Sequence, residues 1–331
     1  MRQLLGSWFT SWLTRYQKSV LGIDIGTTSV KVLQLQKLDN KYHVLDYSCI
    51  PFAVEPHTEV LLNSPSDISN AIKIALTHTQ YNQKTATICV NSSTVMTKLL
   101  LLDANTLPQE IEENVLILAN QYIPYQLEDI NYDFEVLGNN PHTPDQLDIL
   151  FIAAHHENVS AKVAIVANAG LRANIVDIDI YALKNACSLL PEFIQRSVDH
   201  QTIAIVDLGA THSSFTVIQN DQVLYTREQE FSSTQLLTPF LTTITNEIQH
   251  SQILFTSSNP SSTINSIFIA GGCATLPNAA KVIEESLEIP TYIINPFTNM
   301  TLARSVDKNA LYMMAPTLTI ACGLAIRSLH D

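Results

Sequence analysis

The sequence predicts an α/β protein built from two duplicated lobes, the first carrying an inserted subdomain and the second reduced. Three observations carry that expectation. Strand-like and helix-like runs alternate along 331 residues, about two domains' worth of chain. The segment LGIDIGTTSVKVLQL returns as IAIVDLGATHSSFTVIQ, which puts Asp24 on Asp207, Gly26 on Gly209 and Thr28 on Thr211; a repeat spaced by more than half the chain is a duplicated lobe, not a solenoid period. Hydrophobic residues make up 46% and charged residues 15%, which excludes disordered and fibrous classes.

The elements follow in order. Over residues 1–19, Leu4, Leu5, Trp8, Phe9, Trp12, Leu13 and Tyr16 recur at helical spacing, with Arg2, Arg15 and Lys18 and no carboxylate in the first twenty residues. This predicts a short basic amphipathic helix. Trp8, Phe9 and Trp12 suit a membrane interface, where an indole has an apolar body and a polar N–H; docking on the protein itself or on a partner is the other reading.

From Val20 the strands LGIDIG, SVKVLQL and KYHVLDYSCI form a meander with a turn at Asp39 and Asn40, followed by a helix with capping groups at Asp67, Ser69 and Asn70, then strand TATICV. Residues 92–155 read as an insertion: strand VMTKLLLL, a helix announced by a Thr106–Gln109 capping box, and strands NYDFEVLG and DILFIAA. Helix ENVSAKVAIVANAGL, strand RANIVDID and helix YALKNACSLL complete a first lobe of residues 20–91 with 156–199. A polar stretch over Pro191–Gln201 leads into the second lobe, 200–331, which continues with helix QLLTPFLTTITNEIQHSQILF, strand SIFIAGG, helix PNAAKVIEESL, strand TYII and helix TLTIACGLAIRSL.

Eighteen Lys and Arg against 31 acids give a net charge of -13, which opposes a phosphate-backbone footprint on nucleic acid. The five cysteines are widely spaced without a CxxC, as expected of buried reduced thiols. No run of eighteen apolar residues and no signal-peptide pattern occur, so a cytoplasmic location is expected.

Each D-x-G-x-T element is a strand that ends in a carboxylate and turns through a glycine, so backbone N–H groups and hydroxyls can approach a phosphate while the Asp stands near its metal. A single copy is weak, because a D-G pair between strands is also a plain hairpin turn. Two copies, with a third apolar strand ending in Gly271 and Gly272, describe a phosphate-binding cleft that admits a nucleoside. His155, His156 and Glu157 look like a ligand cluster, yet adjacent residues point to different sides and no third ligand is indicated. Asp177 and Asp179 share one strand face and line the cleft or cap the next helix.

The GIDIGTTSVK, VDLGATHSS and IAGG segments resemble the two phosphate motifs and the adenosine motif of the actin-like ATPase superfamily. ANQYIPYQLEDINYDFEVLG, VLYTREQEF and IACGLAIRSL are similar to stretches of its PilM family of type IV pilus assembly proteins, and the resemblance covers nearly the whole chain from Leu21. It implies an actin-like scaffold that binds ATP and Mg between its lobes and grips the cytoplasmic N-terminal tail of the inner-membrane protein PilN. Such a scaffold helps form the ring that connects the pilus motor ATPase complex to the envelope. On that reading Asp24, Gly26, Thr27, Thr28 and Ser29, with Asp207, Gly209, Thr211, Gly271 and Gly272, hold the nucleotide, and Asp24 and Asp207 serve the metal. Lys31 either reaches a phosphate or faces solvent from its strand. The tail groove falls in the inserted unit and includes Tyr122, Pro124 and Tyr125.

The sequence departs from this family in one place. The resemblance implies a second subdomain after the YTREQ strand, whose residues help hold ribose and adenine, but here Phe231 passes through Ser232–Gln235 directly into a helix. Weak or absent ATP binding is therefore expected, with scaffold function retained in the first lobe. Two rivals keep the fold: a true ATPase or sugar-kinase-like phosphotransferase, against which the short second lobe argues, and a cell-division scaffold like FtsA. The latter tethers through a C-terminal amphipathic helix, whereas the amphipathic element here is N-terminal.

Overall fold

The structure is a computed structural model that describes residues 19–52, 64–78, 81, 84–141, 143–230 and 237–330. Trp8, Phe9, Trp12 and the predicted helix around them lie outside the described residues, as do 231–236. Two compact units emerge: Val90–Ala164, and Met1–Cys89 with Ile165–Asp331.

The larger unit holds two sheets of matching order. The first runs β14-β3-β2-β1-β4-β8, with the short β14 (Thr301–Leu302) at its edge, and the second runs β11-β10-β9-β12-β13. In the first, β1 (Ser19–Ile25), β2 (Ser29–Leu38) and β3 (Lys41–Pro51) form an antiparallel meander, and β4 (Thr85–Val90) pairs parallel to β1. In the second, β9 (Thr202–Leu208), β10 (His212–Gln219) and β11 (Gln222–Glu230) repeat the meander, and β12 (Ile264–Ala270) pairs parallel to β9. The duplication reaches the hairpin turns. Asp39 and Asn40 take φ 46° and 63°, and Asn220 and Asp221 take 52° and 65°, the left-handed pair that a two-residue hairpin requires and that Asn and Asp tolerate.

The central strands are apolar on both faces because both are covered. Ile23, Val32, Leu33 and Leu35 are fully buried in the first sheet, as are Ala204, Val206 and Val217 in the second. Helices α1 (Pro65–His78), α4 (Asp179–Cys187) and α9 (Thr319–His330) accompany the first sheet, with β8 (Arg172–Ile178) at its edge, and the division between the two units falls within α3 (His156–Asn168). The stretch Lys308–His330 is apolar enough to span a membrane, but within it Ala321–Ile326 are buried against the sheet, so here it serves the core. Helices α6 (Leu237–Ser258) and α7 (Ala279–Leu287) accompany the second sheet, whose far edge is β13 (Thr291–Ile293).

The smaller unit is a three-stranded antiparallel sheet, β5-β7-β6, of β5 (Val95–Asp103), β7 (Gln146–His155) and β6 (Ile130–Asn139). Helix α2 (Ile111–Ala119) packs on one face, burying Leu100, Leu102, Val115, Ile149 and Phe151.

One sequence expectation is corrected and two helices are added. The Thr106–Gln109 capping box does not form, because Pro108–Glu110 make a 3₁₀ turn and α2 begins at Ile111 with no side-chain cap. The polar stretch at Pro191–Gln201 contains a helix, α5 (Pro191–Val198), opened by its proline and anchored by buried Phe193. A further helix, α8 (Lys308–Met314), went unpredicted although Asp307 caps it, accepting from the N–H groups of Asn309 and Ala310 at 2.8 and 3.0 Å.

Candidate functional site

Both D-x-G-x-T elements lie where a central strand runs out into a turn. Gly26 N–H donates to the Ser29 carbonyl at 3.1 Å, and Gly209 N–H to the His212 carbonyl at 3.0 Å, the same bond at the same place in each lobe. A Cβ on Gly209 would stand 2.7 Å from the His212 carbonyl oxygen, and one on Gly26 would stand 2.5 Å from Lys31 Nζ and push that ammonium aside. The turn tips meet, with Thr211 Oγ1 donating to Thr27 Oγ1 at 2.9 Å. The structure therefore brings the two sequence motifs together. Thr28 contributes its carbonyl to Phe52 N–H at 2.8 Å, and Ser29 is buried at the start of β2.

At the centre sits a charge cluster. Asp24 and Lys31 are register partners across β1 and β2, so their side chains share one face, and Lys31 Nζ lies 3.1 Å from Asp24 Oδ2. The solvent-facing alternative for Lys31 is overturned. Burial opposes its charge, but Asp24, joined by Asp207, outweighs it and holds the ammonium above the usual lysine range. Burial, reinforced by Asp24 and Glu228 and opposed by Lys31, lifts the Asp207 carboxyl to about 6.

The third strand closes the cluster. Ala270 on β12 pairs with Asp207, and Gly271 follows at φ 86°; a Cβ there would stand 2.5 Å from Asp207 Oδ1. Only glycine fits, for conformation and for space. A Cβ on Gly272 would meet nothing within 4 Å, and a 610 Å³ cavity begins two residues further on, with Ala274, Leu276, Ile293, Asn295, Tyr312 and Pro316 in its walls. Cys273 donates its thiol to the Gly209 carbonyl at 3.1 Å, and burial with Asp207 nearby pushes that thiol up to about 11, so it stays a donor. Cys273 and His212, which bonds Thr211 Oγ1 at 2.8 Å, were missed from sequence; their adjacency to the GG and T positions was the available signal.

These residues fit the phosphates of a nucleotide: backbone turns through glycine, hydroxyls at the tips and one buried ammonium. They fit a metal less completely. Among the described residues no group of three His, Cys, Asp or Glu side chains could hold one, so a magnesium ion at Asp24 and Asp207 would take its other ligands from phosphate and water. His155 and His156 are engaged otherwise, one edge-on to Tyr125 and one bonded to Asn131 at 2.9 Å. Asp177 and Asp179 each accept the next residue's N–H at 2.7 Å, and Asp179 opens α4.

The smaller unit offers a second candidate surface. Tyr122, Pro124 and Tyr125 are exposed on the turn after α2, with Lys98 Nζ 4.5 Å from the Tyr122 ring centroid. On the sheet face away from α2, Leu99 and Leu101 are 52% and 45% exposed, an apolar strip left open among the described residues. Leu99 stands opposite Leu150, which stands opposite Glu135, and Ile152 stands opposite Asp133, so acids border the strip on β6.

A family model described as "Type IV pilus assembly protein PilM" matches residues 22–236 and 232–329. The chain belongs to the PilM family. Its two matched stretches meet at 232–236, where β11 passes to α6 through six residues, 231–236. A solved "PilM-PilN type IV pilus biogenesis complex" is similar at a TM-score of 0.76 and 19% identity, over 94% of this chain and 99% of that one. The ethanolamine utilization protein EutJ from Carboxydothermus hydrogenoformans is similar at 0.50 and 10% identity, over 93% and 89%. The actin-like two-lobe fold expected from the repeated motifs is thus the fold of this PilM family member.

Proposed function

We propose that the chain is a cytoplasmic scaffold of type IV pilus assembly whose smaller unit, Val90–Ala164, binds the N-terminal cytoplasmic tail of a PilN-like inner-membrane protein. The observation that carries the reading is the apolar and aromatic surface this small unit leaves exposed, Leu99 and Leu101 on the sheet face away from α2 and Tyr122 and Tyr125 on the turn after α2: a small domain leaves such surface open where a partner covers it. Through the tail the protein joins the ring that links the motor ATPase complex to the envelope.

A nucleotide plays a secondary part. Gly26, Thr27, Thr28, Ser29, Gly209, Thr211 and Lys31 would hold its phosphates, and Gly271 and Gly272 would admit the nucleoside. ATP and Mg are bound weakly, because six residues replace the wall expected beyond β11, and occupancy tunes tail binding without being required for it. Phosphoryl transfer as its purpose is the rival reading, against which the short passage from β11 to α6 argues.

The test is calorimetric titration of a synthetic peptide of the cognate PilN tail into the full chain and into Leu99→Ser/Tyr125→Ala. The variant alters one residue on each surface, so affinity falls about tenfold or more if the tail lies on either of them; equal affinity in the variant places the tail elsewhere.

A further inference from the structure

We infer that one end of the six-stranded sheet is a basic surface that lies on anionic lipid headgroups. Register fixes which residues meet there. Ser19 at the start of β1 pairs with Gln36, Gln36 with His43, and His43 with Thr301, one row across the sheet. Just beyond that row the β2–β3 hairpin carries Lys37 and Lys41. Since β4 runs parallel to β1, Lys84 arrives at the same end, and Arg172 joins it because its N–H donates to the Lys84 carbonyl at 2.7 Å. The last turn of α9, with Arg327 and His330, closes the group, His330 Nε2 lying 2.9 Å from Tyr42 Oη.

A chain of net charge -13 thus gathers cations where the acid on the same hairpin is Asp39. Lys41, Lys84 and Arg172 are exposed, and among the described residues no carboxylate pairs with them. Arg327 and His330 are explained by the negative end of the α9 dipole alone, so the inference rests on the three residues that no such helix end requires. Lysines and arginines that stand near an anionic bilayer are each attracted to its headgroups within a Debye length. The phosphate motifs lie at the other ends of these strands, with Asp24 near the end of β1, so a membrane beneath this edge leaves the cleft open.

The experiment is co-flotation of the full chain with vesicles of phosphatidylcholine alone, or of equal parts phosphatidylglycerol and phosphatidylcholine. The full chain should float with the mixed vesicles, release as salt is raised, and stay behind with the neutral ones. Lys41→Gln/Lys84→Gln/Arg172→Gln should partition about tenfold less or lower, while the control Lys162→Gln/Lys281→Gln matches the parent chain. Three results would overturn the proposal: equal flotation with neutral vesicles, equal loss in the control variant, or unchanged flotation of the triple variant. Binding to heparin that outcompetes the vesicles would also overturn it, in favour of a general polyanion surface. Circular dichroism of each variant secures that the fold is intact.

Discussion

Lys31 Nζ lies 3.1 Å from Asp24 Oδ2, one rung across the β1–β2 ladder and at the lip of the cleft between the two lobes. The pair is buried, so each charge depends on the other. Removing one partner unbalances a low-dielectric cluster that also holds Asp207, whereas removing both takes away one charge of each sign and leaves only Asp207. Lys31→Met or Asp24→Asn alone should therefore lower unfolding free energy by about 3 kcal/mol, and Lys31→Met/Asp24→Leu by clearly less than the sum. Urea denaturation of the four proteins measures the coupling.

Gly271 combines a left-handed φ of 86° with an Asp207 oxygen where a Cβ would go, whereas Gly170 shares the φ of 86° but has nothing within 4 Å. Gly170→Ala should cost about 1 kcal/mol, from conformation alone. Gly271→Ala should cost about 2–3 kcal/mol more, because the Leu208 backbone carbonyl and the Asp207 carboxyl must also move. Equal losses in the two variants would mean that the close approach to Leu208 and Asp207 does not exist.

Asp207 has its carboxyl lifted from 3.8 to about 6 by burial and by Asp24. A carboxyl whose folded pKa is raised binds more protons folded than unfolded, so its contribution is most favourable below the unfolded value and is lost as pH rises from about 4 through about 6. Asp207→Asn should consequently gain stability relative to the parent chain across that window, on the order of 2–3 kcal/mol by pH 7, with little difference at pH 4. Denaturation midpoints compared at pH 4, 5, 6 and 7 measure it; a difference that does not change with pH would contradict the shift.

Much of this was legible in the sequence because it is written in local patterns. The paired motifs fix which strands end in Asp24 and Asp207, and the Asp39–Asn40 turn declares its own hairpin. The Thr27–Thr211 bond was not legible, since it depends on how two distant turns meet, and neither was the choice between phosphate-reaching and solvent-facing Lys31, which only strand register decides. The misplaced start of α2 has a local cause: Pro108 favours a 3₁₀ turn exactly where a Thr106–Gln109 box would have begun the helix. Cys273 was passed over as one buried thiol among five, because its bond to Gly209 joins residues 64 apart.

The most direct measurement is the affinity of the cognate PilN tail for three proteins: the parent chain, Leu99→Ser/Tyr125→Ala and Asp24→Asn. If the scaffold acts through its inserted unit, Asp24→Asn binds the tail within about twofold of the parent and the double variant binds about tenfold or more weakly. Loss of tail binding in Asp24→Asn with the double variant unaffected would contradict it, and would make the nucleotide cleft, not the apolar strip, the seat of partner recognition.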